Sequence, residues 1–279
     1  MKMRKLFKQT MMCSVAILTS VGIVGCGSGV GASANKKETA QTASAMEKEV
    51  LVVGVDDTFA PMGFKDESGE MVGLDVDLAK AMGEKLGKTV QFQTIDWSMK
   101  ETELNAGNID LIWNGYTITE ERKAQVAFGT PYLKNKQVII TLADSDIRSK
   151  ADLKDKTVAA QTGSSAVDAI EAEPDVLASF KDGKPVTYES NNDVLMDLES
   201  GRVDAAVADE VIVRYYISKK GEEKFRILEE NFGDEEYGVG MRKEDTALVE
   251  AFNKAYAELK AEGKLAEISN KWFGEDITC

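Results

Sequence analysis

The stretch Val50-Leu51-Val52-Val53-Gly54-Val55 is an apolar run of strand length, β-branched except for one Leu and one Gly. Such a run is typical of a strand buried on both faces of a parallel sheet. A helix is predicted downstream by apolar residues that recur every four positions, namely Leu74, Leu78, Met82 and Leu86. Gly87 follows this helix and suits a left-handed C-cap. Strand therefore leads to helix, as in an α/β fold.

The same alternation continues along the chain. Residues 90–95 and 109–113 are predicted strands, and 158–160 opens a second set. Residues 237–241 are predicted to form one more strand. A last long helix is predicted by apolar residues on one face, namely Leu248, Phe252, Tyr256 and Leu259. The pattern predicts an α/β fold with parallel strands.

Two segments, 104–112 and 198–206, resemble each other. In each, a helix ends at a Gly and a short loop delivers an Asp to the start of a buried strand. We interpret them as parts of two lobes built to one plan: residues 49–138 plus 235–279 form the first, and 139–234 the second. The chain then crosses between lobes near 137–142 and 233–238, and such a double connection is a hinge that suits closure around a ligand.

The N-terminus has the layout of a signal peptide, here residues 1–25. Four basic residues and no acid precede an uncharged stretch, 11–24, that is too short to cross about 30 Å of hydrocarbon. The stretch ends at Ile23-Val24-Gly25-Cys26, which resembles a bacterial lipobox, so Cys26 is predicted to be lipidated. Residues 26–48 are small and polar and are predicted to be a flexible tether.

Composition excludes several classes of function. The formal net charge of −14 argues against nucleic acid as a partner. The sequence contains no histidine, which excludes a Ser-His-Asp or Cys-His catalytic set and a His-containing zinc site. We therefore expect no catalytic residues, metal or cofactor. Cys279 is the one cysteine beyond the leader and Cys26, so no internal disulfide is expected.

Six motifs between about Val50 and Thr278 carry a specific resemblance: VGVDDTFAPMGF, GLDVDLAKAMGEKLG, NGYTITEERKAQVAF, DLKDKTVAAQTGSS, SGRVDAAVADE and KWFGEDIT. Together they resemble the polar amino acid family of importer binding proteins. The resemblance implies a two-lobed, type II periplasmic-binding-protein-like fold with its ligand cleft between the lobes. It also implies a monomer on the extracytoplasmic face of the cell membrane, lipid-anchored, that delivers a free polar amino acid to an ABC transporter permease.

By this resemblance, Arg122 binds the ligand's α-carboxylate, because a planar guanidinium offers two parallel donors. Taken alone, Arg122 would rather be an exposed helix arginine paired with a nearby Glu. The resemblance also implies that Gly115 and Thr117 place a backbone N–H and a C=O against the ligand's carboxylate and ammonium.

In the second lobe, the turn from Gln161 to Ser165 joins a strand to a helix, where free N–H groups can meet the same carboxylate. Gln161 and Ser164 are the expected contacts, although capping of the helix by Ser164 would use the same end. Asp209 matches the acid that holds the α-ammonium. A zwitterion held by Arg122 and Asp209 would bridge the lobes and favour the closed state.

The resemblance places Phe59 and Trp97 at aromatic positions that sandwich the ligand side chain, with Asp56 near the side chain or ammonium. Core packing is the usual role of such aromatic residues. Glutamine, lysine, arginine, histidine and cystine stay open as ligands. An exported dehydratase-like enzyme on the same scaffold and a sensor that reports the ligand to a membrane partner are the alternative functions.

Overall fold

A computed structural model describes residues 44–279. Its strands are β1 (Val50–Val55), β2 (Thr58–Phe59), β3 (Gly63–Lys65), β4 (Met71–Val72), β5 (Thr89–Thr94), β6 (Leu111–Ile112), β7 (Ala127–Phe128), β8 (Leu133–Leu142), β9 (Val158–Gln161), β10 (Val186–Tyr188), β11 (Ala205–Asp209), β12 (Phe225–Tyr237) and β13 (Gly240–Met241). Its α-helices are α1 (Leu74–Leu86), α2 (Lys100–Ala106), α3 (Glu120–Gln125), α4 (Ser165–Glu171), α5 (Pro174–Ser179), α6 (Asn191–Glu199), α7 (Glu210–Lys220), α8 (Thr246–Ala261) and α9 (Lys264–Phe273). The α/β class is thus confirmed.

The first lobe is built on a sheet with strand order β5-β1-β6-β13-β7. The predicted strand 50–55 is its second strand, between β5 and β6 and parallel to both. The predicted helix is also confirmed, since α1 buries Leu74, Leu78 and Met82 and ends at Gly87, whose φ is +66°. Helices α1, α8 and α9 pack against one another beside this sheet.

The second lobe is built on a sheet with strand order β10-β9-β11-β8-β12. Strand β9 is parallel to β10 and β11, whereas the long strands β8 and β12 run antiparallel to their neighbours. A small antiparallel sheet, β2-β3-β4, follows β1. Each large sheet therefore has a parallel core with antiparallel strands added, rather than parallel strands throughout.

Strands β8 and β12 connect the lobes as a pair. Leu133 pairs with Tyr237 at one end, and Phe225 pairs with Leu142 at the other. The first crossing was expected at 137–142, which is wrong, because residues 137–140 already pair with β11 inside the second sheet. The predicted single strand at 237–241 is also wrong: Tyr237 ends β12, and β13 begins only at Gly240.

The repeated Gly and Asp of the two lobes have the same structural role. Gly107 and Gly201 both have left-handed φ values, +81° and +72°. The carboxylate of Asp110 accepts from Val52 N at 3.1 Å, and that of Asp204 accepts from Thr157 N at 2.7 Å. In each lobe, the Asp before one strand thus holds the backbone of its neighbour.

The chain is packed before β1. The tether was predicted to extend to residue 48, but Ala45–Glu47 forms a 3-10 turn with Ala45 fully buried. Ala45 N donates to Asp245 at 2.7 Å, and Lys48 Nζ lies 2.7 Å from Asp110. Residues 44–48 therefore belong to the first lobe. Within residues 44–279, no helix combines the length and apolar character needed to cross a membrane.

Candidate functional site

Arg122 lies at the junction of the lobes. Helix α3 positions it, since the Thr119 hydroxyl accepts from Arg122 N at 3.1 Å and caps the first turn. The Nη1 atom donates to the carbonyl of Thr117 at 2.9 Å, and Nη2 donates to the carbonyl of Gly163, in the second lobe, at 3.3 Å. The guanidinium also lies over the Tyr116 ring, at 4.8 Å from its centroid. With 4% exposure, Arg122 is not an exposed helix arginine.

Gly115 is held in a conformation that only glycine adopts easily. Its φ is +58°, and a Cβ there would lie 2.4 Å from Phe59 Cε1. Its N–H donates to the carboxylate of Asp75 at 2.7 Å, so this N–H is already bonded within the first lobe. Asp75 is fully buried and also accepts from the Tyr132 hydroxyl at 2.8 Å. Burial raises the pKa of Asp75 to about 7.

Thr117 faces the second-lobe turn directly. Its hydroxyl lies 3.0 Å from the hydroxyl of Ser165, and both side chains are buried. Ser164, the residue expected there, is the N-cap of α4, but its hydroxyl donates back to the carbonyl of Gln161 at 2.8 Å. Ser165, which was not among the predicted residues, therefore makes the contact across the lobes.

Asp56 and Gln161 form a second connection between the lobes. Gln161 Nε2 donates to Asp56 Oδ2 at 2.7 Å, and both side chains are buried. Asn191 orients the amide of Gln161 by donating to its Oε1 at 2.8 Å. The other oxygen of Asp56 accepts from the Thr58 hydroxyl at 2.7 Å. The resemblance places Asp56 near the ligand's side chain or ammonium and Gln161 in the turn that faces the carboxylate, and both roles stay predictions.

Asp209 ends β11 inside a cluster of polar side chains from the connecting strands. Its Oδ1 accepts from Asn135 Nδ2 and Gln137 Nε2, each at 2.7 Å, and from the Tyr237 hydroxyl at 2.9 Å. Burial, together with the neighbouring carboxylate of Glu235, raises the pKa of Asp209 well above its usual range. The expected ammonium-binding acid is therefore buried in the hinge.

A continuous path of contacts joins the two ends of the site. Arg122 donates to the carbonyl of Thr117, and the Thr117 hydroxyl contacts that of Ser165. Gln137 Nε2 lies 3.1 Å from Ser165 Oγ and 2.7 Å from Asp209 Oδ1. The predicted carboxylate-binding and ammonium-binding residues are thus brought together between the lobes, through two residues that the sequence did not single out.

The predicted aromatic residues lie on the first-lobe side of the candidate site. Phe59 and Trp97 are buried, at 5% and 6% exposure. Phe59 touches Gly115, and Trp97 packs edge-on against Tyr116 with ring centroids 5.9 Å apart. Both residues therefore have packing contacts, and their role as a sandwich for the ligand side chain stays a prediction.

Lys100 is a second buried cation beside Arg122. Its Nζ donates to the carbonyl of Gly163 at 2.9 Å and to that of Trp97 at 3.1 Å, so it too reaches the second lobe. Glu101 lies 3.4 Å from Lys100 Nζ and 4.0 Å from Arg122 Nε. Burial, and then repulsion by Arg122, lowers the pKa of Lys100 to about 8. Two cations of the first lobe thus share one carbonyl of the second.

Some site residues that were not predicted are nevertheless indicated by the sequence pattern. Asn135 and Gln137 alternate with two lysines in a strand whose other residues are apolar except Thr141, so they share its inward face. A polar residue on a buried strand face is unusual and marks a site to examine. Lys100 and Ser165 had no such signal, because each follows a turn whose geometry decides where it points.

The comparisons with known proteins agree with this geometry. The model of the bacterial extracellular solute-binding proteins, family 3, matches residues 51–275. The chain is a family 3 solute-binding protein. The family and the relatives described below are binding proteins rather than enzymes.

Relatives of this family 3 solute-binding protein cover most of its length. An ABC uptake transporter substrate-binding protein from Streptococcus pneumoniae, solved with bound histidine, is 42% identical over 84% of this chain and 96% of its own, with a TM-score of 0.81. The arginine-binding extracellular protein of Bacillus subtilis is 28% identical over 95% of this chain and 98% of its own. The L-cystine-binding protein of Escherichia coli K12 is 30% identical over 83% of this chain and 85% of its own. These findings confirm the predicted two-lobed fold.

Proposed function

We propose that this protein is the amino-acid-binding component of an ABC importer and holds a free polar amino acid between its lobes. The ligand's α-carboxylate binds Arg122. Its α-ammonium binds the carbonyl of Gly115 and the carboxylate of Asp209. The observation that carries the proposal is the path of contacts from Arg122 through Thr117, Ser165 and Gln137 to Asp209. A zwitterion has one charge for each end of that path.

The side-chain end of the site favours a cationic or amide-bearing ligand. Asp56 supplies a carboxylate there, and Gln161 can donate and accept hydrogen bonds. Phe59 and Trp97 supply apolar faces. Relatives that bind arginine, histidine and cystine support this range. We propose arginine, lysine, histidine, glutamine and cystine as the candidate ligands.

A thermal-shift screen of the twenty amino acids plus cystine, on the purified mature protein, tests the proposal. A bound ligand stabilises the folded state by mass action, so a true ligand raises the melting temperature in proportion to the logarithm of its concentration. Calorimetry then gives the affinity. No shift with any of these compounds would refute amino acid binding.

The alternative of a dehydratase-like enzyme predicts product. Incubation of each ligand with the protein, followed by mass spectrometry, should return the ligand unchanged. A sensor would use the same site residues, and co-purification of a permease with the membrane-bound protein supports the importer instead.

We further propose that residues 1–25 are a removed signal peptide and that lipidated Cys26 anchors the protein to the extracytoplasmic face of the cell membrane, as a monomer beside its permease. These residues lie outside the described part of the structure. Cys26→Ser should release the protein from membranes or leave the leader uncleaved. Wild-type protein that stays in the soluble fraction without an acyl group would contradict the anchor.

The division into lobes stays part of the proposal, with residues 49–138 and 235–279 in one and 139–234 in the other. The pairing of residues 137–140 with β11 supports a first boundary slightly earlier, before Gln137. Because Arg122 and Asp209 lie on different lobes, ligand should shift open molecules to closed ones. Small-angle scattering should then show a smaller radius of gyration with saturating ligand, and an unchanged radius would count against closure.

A further inference from the structure

Glu235 shares its hydrogen-bond donors with Asp209. Glu235 lies opposite Asn135 in the β8–β12 pairing. Its Oε1 accepts from Asn135 Nδ2 at 2.6 Å and from Gln137 Nε2 at 2.9 Å. Asp209 Oδ1 accepts from the same two nitrogens. Two carboxyl groups from different strands therefore converge on one pair of amide groups.

No cation balances this pair among the residues that the structure describes, because none of the ion pairs found in 44–279 includes Asp209 or Glu235. Lys134 and Lys136 flank Asn135, but their side chains are exposed on the other face of β8, and Lys136 lies 4.0 Å from Glu210. The carboxylate of Glu235, bonded to the same two amide groups, therefore disfavours the ionised form of Asp209.

The other groups around Asp209 and Glu235 suit a positively charged ligand group. The Tyr237 hydroxyl already donates to Asp209. Gln137 Oε1 is buried and has no hydrogen-bond partner within the described part of the chain. An ammonium has three N–H donors and no acceptor. The two carboxyl groups supply acceptors for such a group, and the unpartnered amide oxygen belongs to a residue that already bonds both of them.

We propose that Asp209 and Glu235 form a paired-carboxyl seat for the ligand's ammonium, and that binding expels a proton which Asp209 otherwise holds beside Glu235. The inference rests on the proposed amino acid binding and adds Glu235 to the site. The ligand enters as an ammonium and keeps its protons, while the proton of the carboxyl pair goes to solvent. The net charge of the site therefore stays the same, because one positive charge leaves as another enters.

The direction of the pH dependence follows from this exchange. Burial and Glu235 raise the pKa of Asp209, so Asp209 holds a proton at pH values where an ordinary aspartate, with a pKa of 3.8, is ionised. Below the raised pKa of Asp209, ligand must displace that proton. The affinity is then expected to fall by about tenfold per pH unit on acidification, and to be constant above it.

Calorimetry in two buffers of different ionisation enthalpy counts the protons. The probes are L-arginine, L-lysine, L-histidine, L-glutamine and L-cystine, each titrated into the mature protein from about pH 8 to pH 5, a range that lies above the ordinary carboxyl pKa values. With the ligand that binds, wild type should release up to one proton per ligand on acidification. Glu235→Gln should release fewer and bind about 3- to 30-fold more weakly at the alkaline end, where a full negative charge is lost.

Glu236→Gln is the matched control. Glu236 is the next residue of β12, is exposed, and lies opposite Lys134. It should match wild type in affinity and proton release, and comparison among the three proteins cancels any proton that the ligand itself exchanges. Binding by Glu235→Gln with wild-type affinity and proton release overturns the paired seat alone. Failure of every probe to bind wild type overturns the proposed function and the seat with it.

Discussion

The hydroxyl oxygens of Thr117 and Ser165 lie 3.0 Å apart, although one belongs to the first lobe and the other to the second. Both side chains are buried at this contact. Arg122 and Gln137 extend it on either side. Because the Thr117–Ser165 contact exists only when the lobes meet, residues on this path are expected to affect how long a ligand stays bound.

Lys100 should act as a latch between the lobes. Its Nζ donates to the carbonyl of Gly163 across the junction, and Lys100→Met removes this charged hydrogen bond while keeping the apolar stem. We expect the ligand to dissociate about 3- to 30-fold faster, with little change in the association rate. Stopped-flow fluorescence measures both rates.

Lys243→Met is the control for Lys100→Met. Lys243 Nζ also donates to two backbone carbonyls, those of Lys123 and Ala124 at 2.9 and 3.1 Å, but both lie in its own lobe. Ligand should dissociate from Lys243→Met at the wild-type rate. Equal dissociation rates for all three proteins would rule out the latch.

Gly115→Ala should weaken both the fold and the site. The new Cβ would lie 2.4 Å from Phe59 Cε1, in addition to the strain of a left-handed backbone. Gly201→Ala separates the two effects, because Gly201 also has positive φ, +72°, but no atom lies within 4 Å of its Cβ position.

Both Gly→Ala variants should lower the free energy of unfolding by about 1 kcal/mol or more for the backbone strain. Gly115→Ala should lose a further 1–3 kcal/mol, roughly the penalty for overpacking, and should also lose ligand affinity. Denaturant unfolding and calorimetry measure these quantities. Equal effects of the two substitutions would show that Phe59 does not press on Gly115.

Asp75 should make stability fall as the pH rises. Its pKa is about 7 in the folded protein and near 3.8 when unfolded, so the folded state binds the proton more tightly. The stabilisation from this proton is complete below the unfolded pKa and is lost as the pH rises to about 7, by a few kcal/mol. Asp75→Asn should remove this slope.

The measurement is urea unfolding of wild type and Asp75→Asn at about pH 4.5 and pH 7.5, an interval that covers most of the shift. Asp175→Asn, at an exposed position in the first turn of α5, controls for the loss of an aspartate. If Asp75→Asn keeps the wild-type difference between the two pH values, Asp75 is not the group responsible.

Local pattern predicted the elements well where burial is simple. Strand β1 and helices α1 and α8 formed as expected, because apolar spacing alone determines which face each one buries. The connecting strands were harder. The prediction merged Tyr237 with β13, since a run of β-forming residues does not show where the chain turns from one sheet to the other.

The site could be predicted in part. Arg122, Asp209 and Gln161 followed from family motifs, and the structure places each of them buried between the lobes. Ser164 and Ser165 both suit a helix start, so the sequence pattern does not distinguish them. Only the turn geometry shows which hydroxyl faces Thr117. Glu235 lies far along the chain from Asp209, and strand pairing alone brings the two together.

The central claim is that Arg122 takes the ligand's α-carboxylate. Truncation of one partner of a buried charged pair costs about 2–5 kcal/mol, so Arg122→Ala should weaken binding by roughly 30- to several-thousand-fold. Arg122→Lys keeps the charge without the forked pair of donors, and it should recover only part of the loss. Arg202 is the control, because its exposed guanidinium pairs with Asp197.

Calorimetry with the ligand found by the screen, on wild type and these three variants, tests this claim most directly. The account predicts a large loss of affinity for Arg122→Ala, a smaller one for Arg122→Lys, and wild-type affinity for Arg202→Ala. Near wild-type affinity for Arg122→Ala, with its circular dichroism spectrum unchanged, would contradict it.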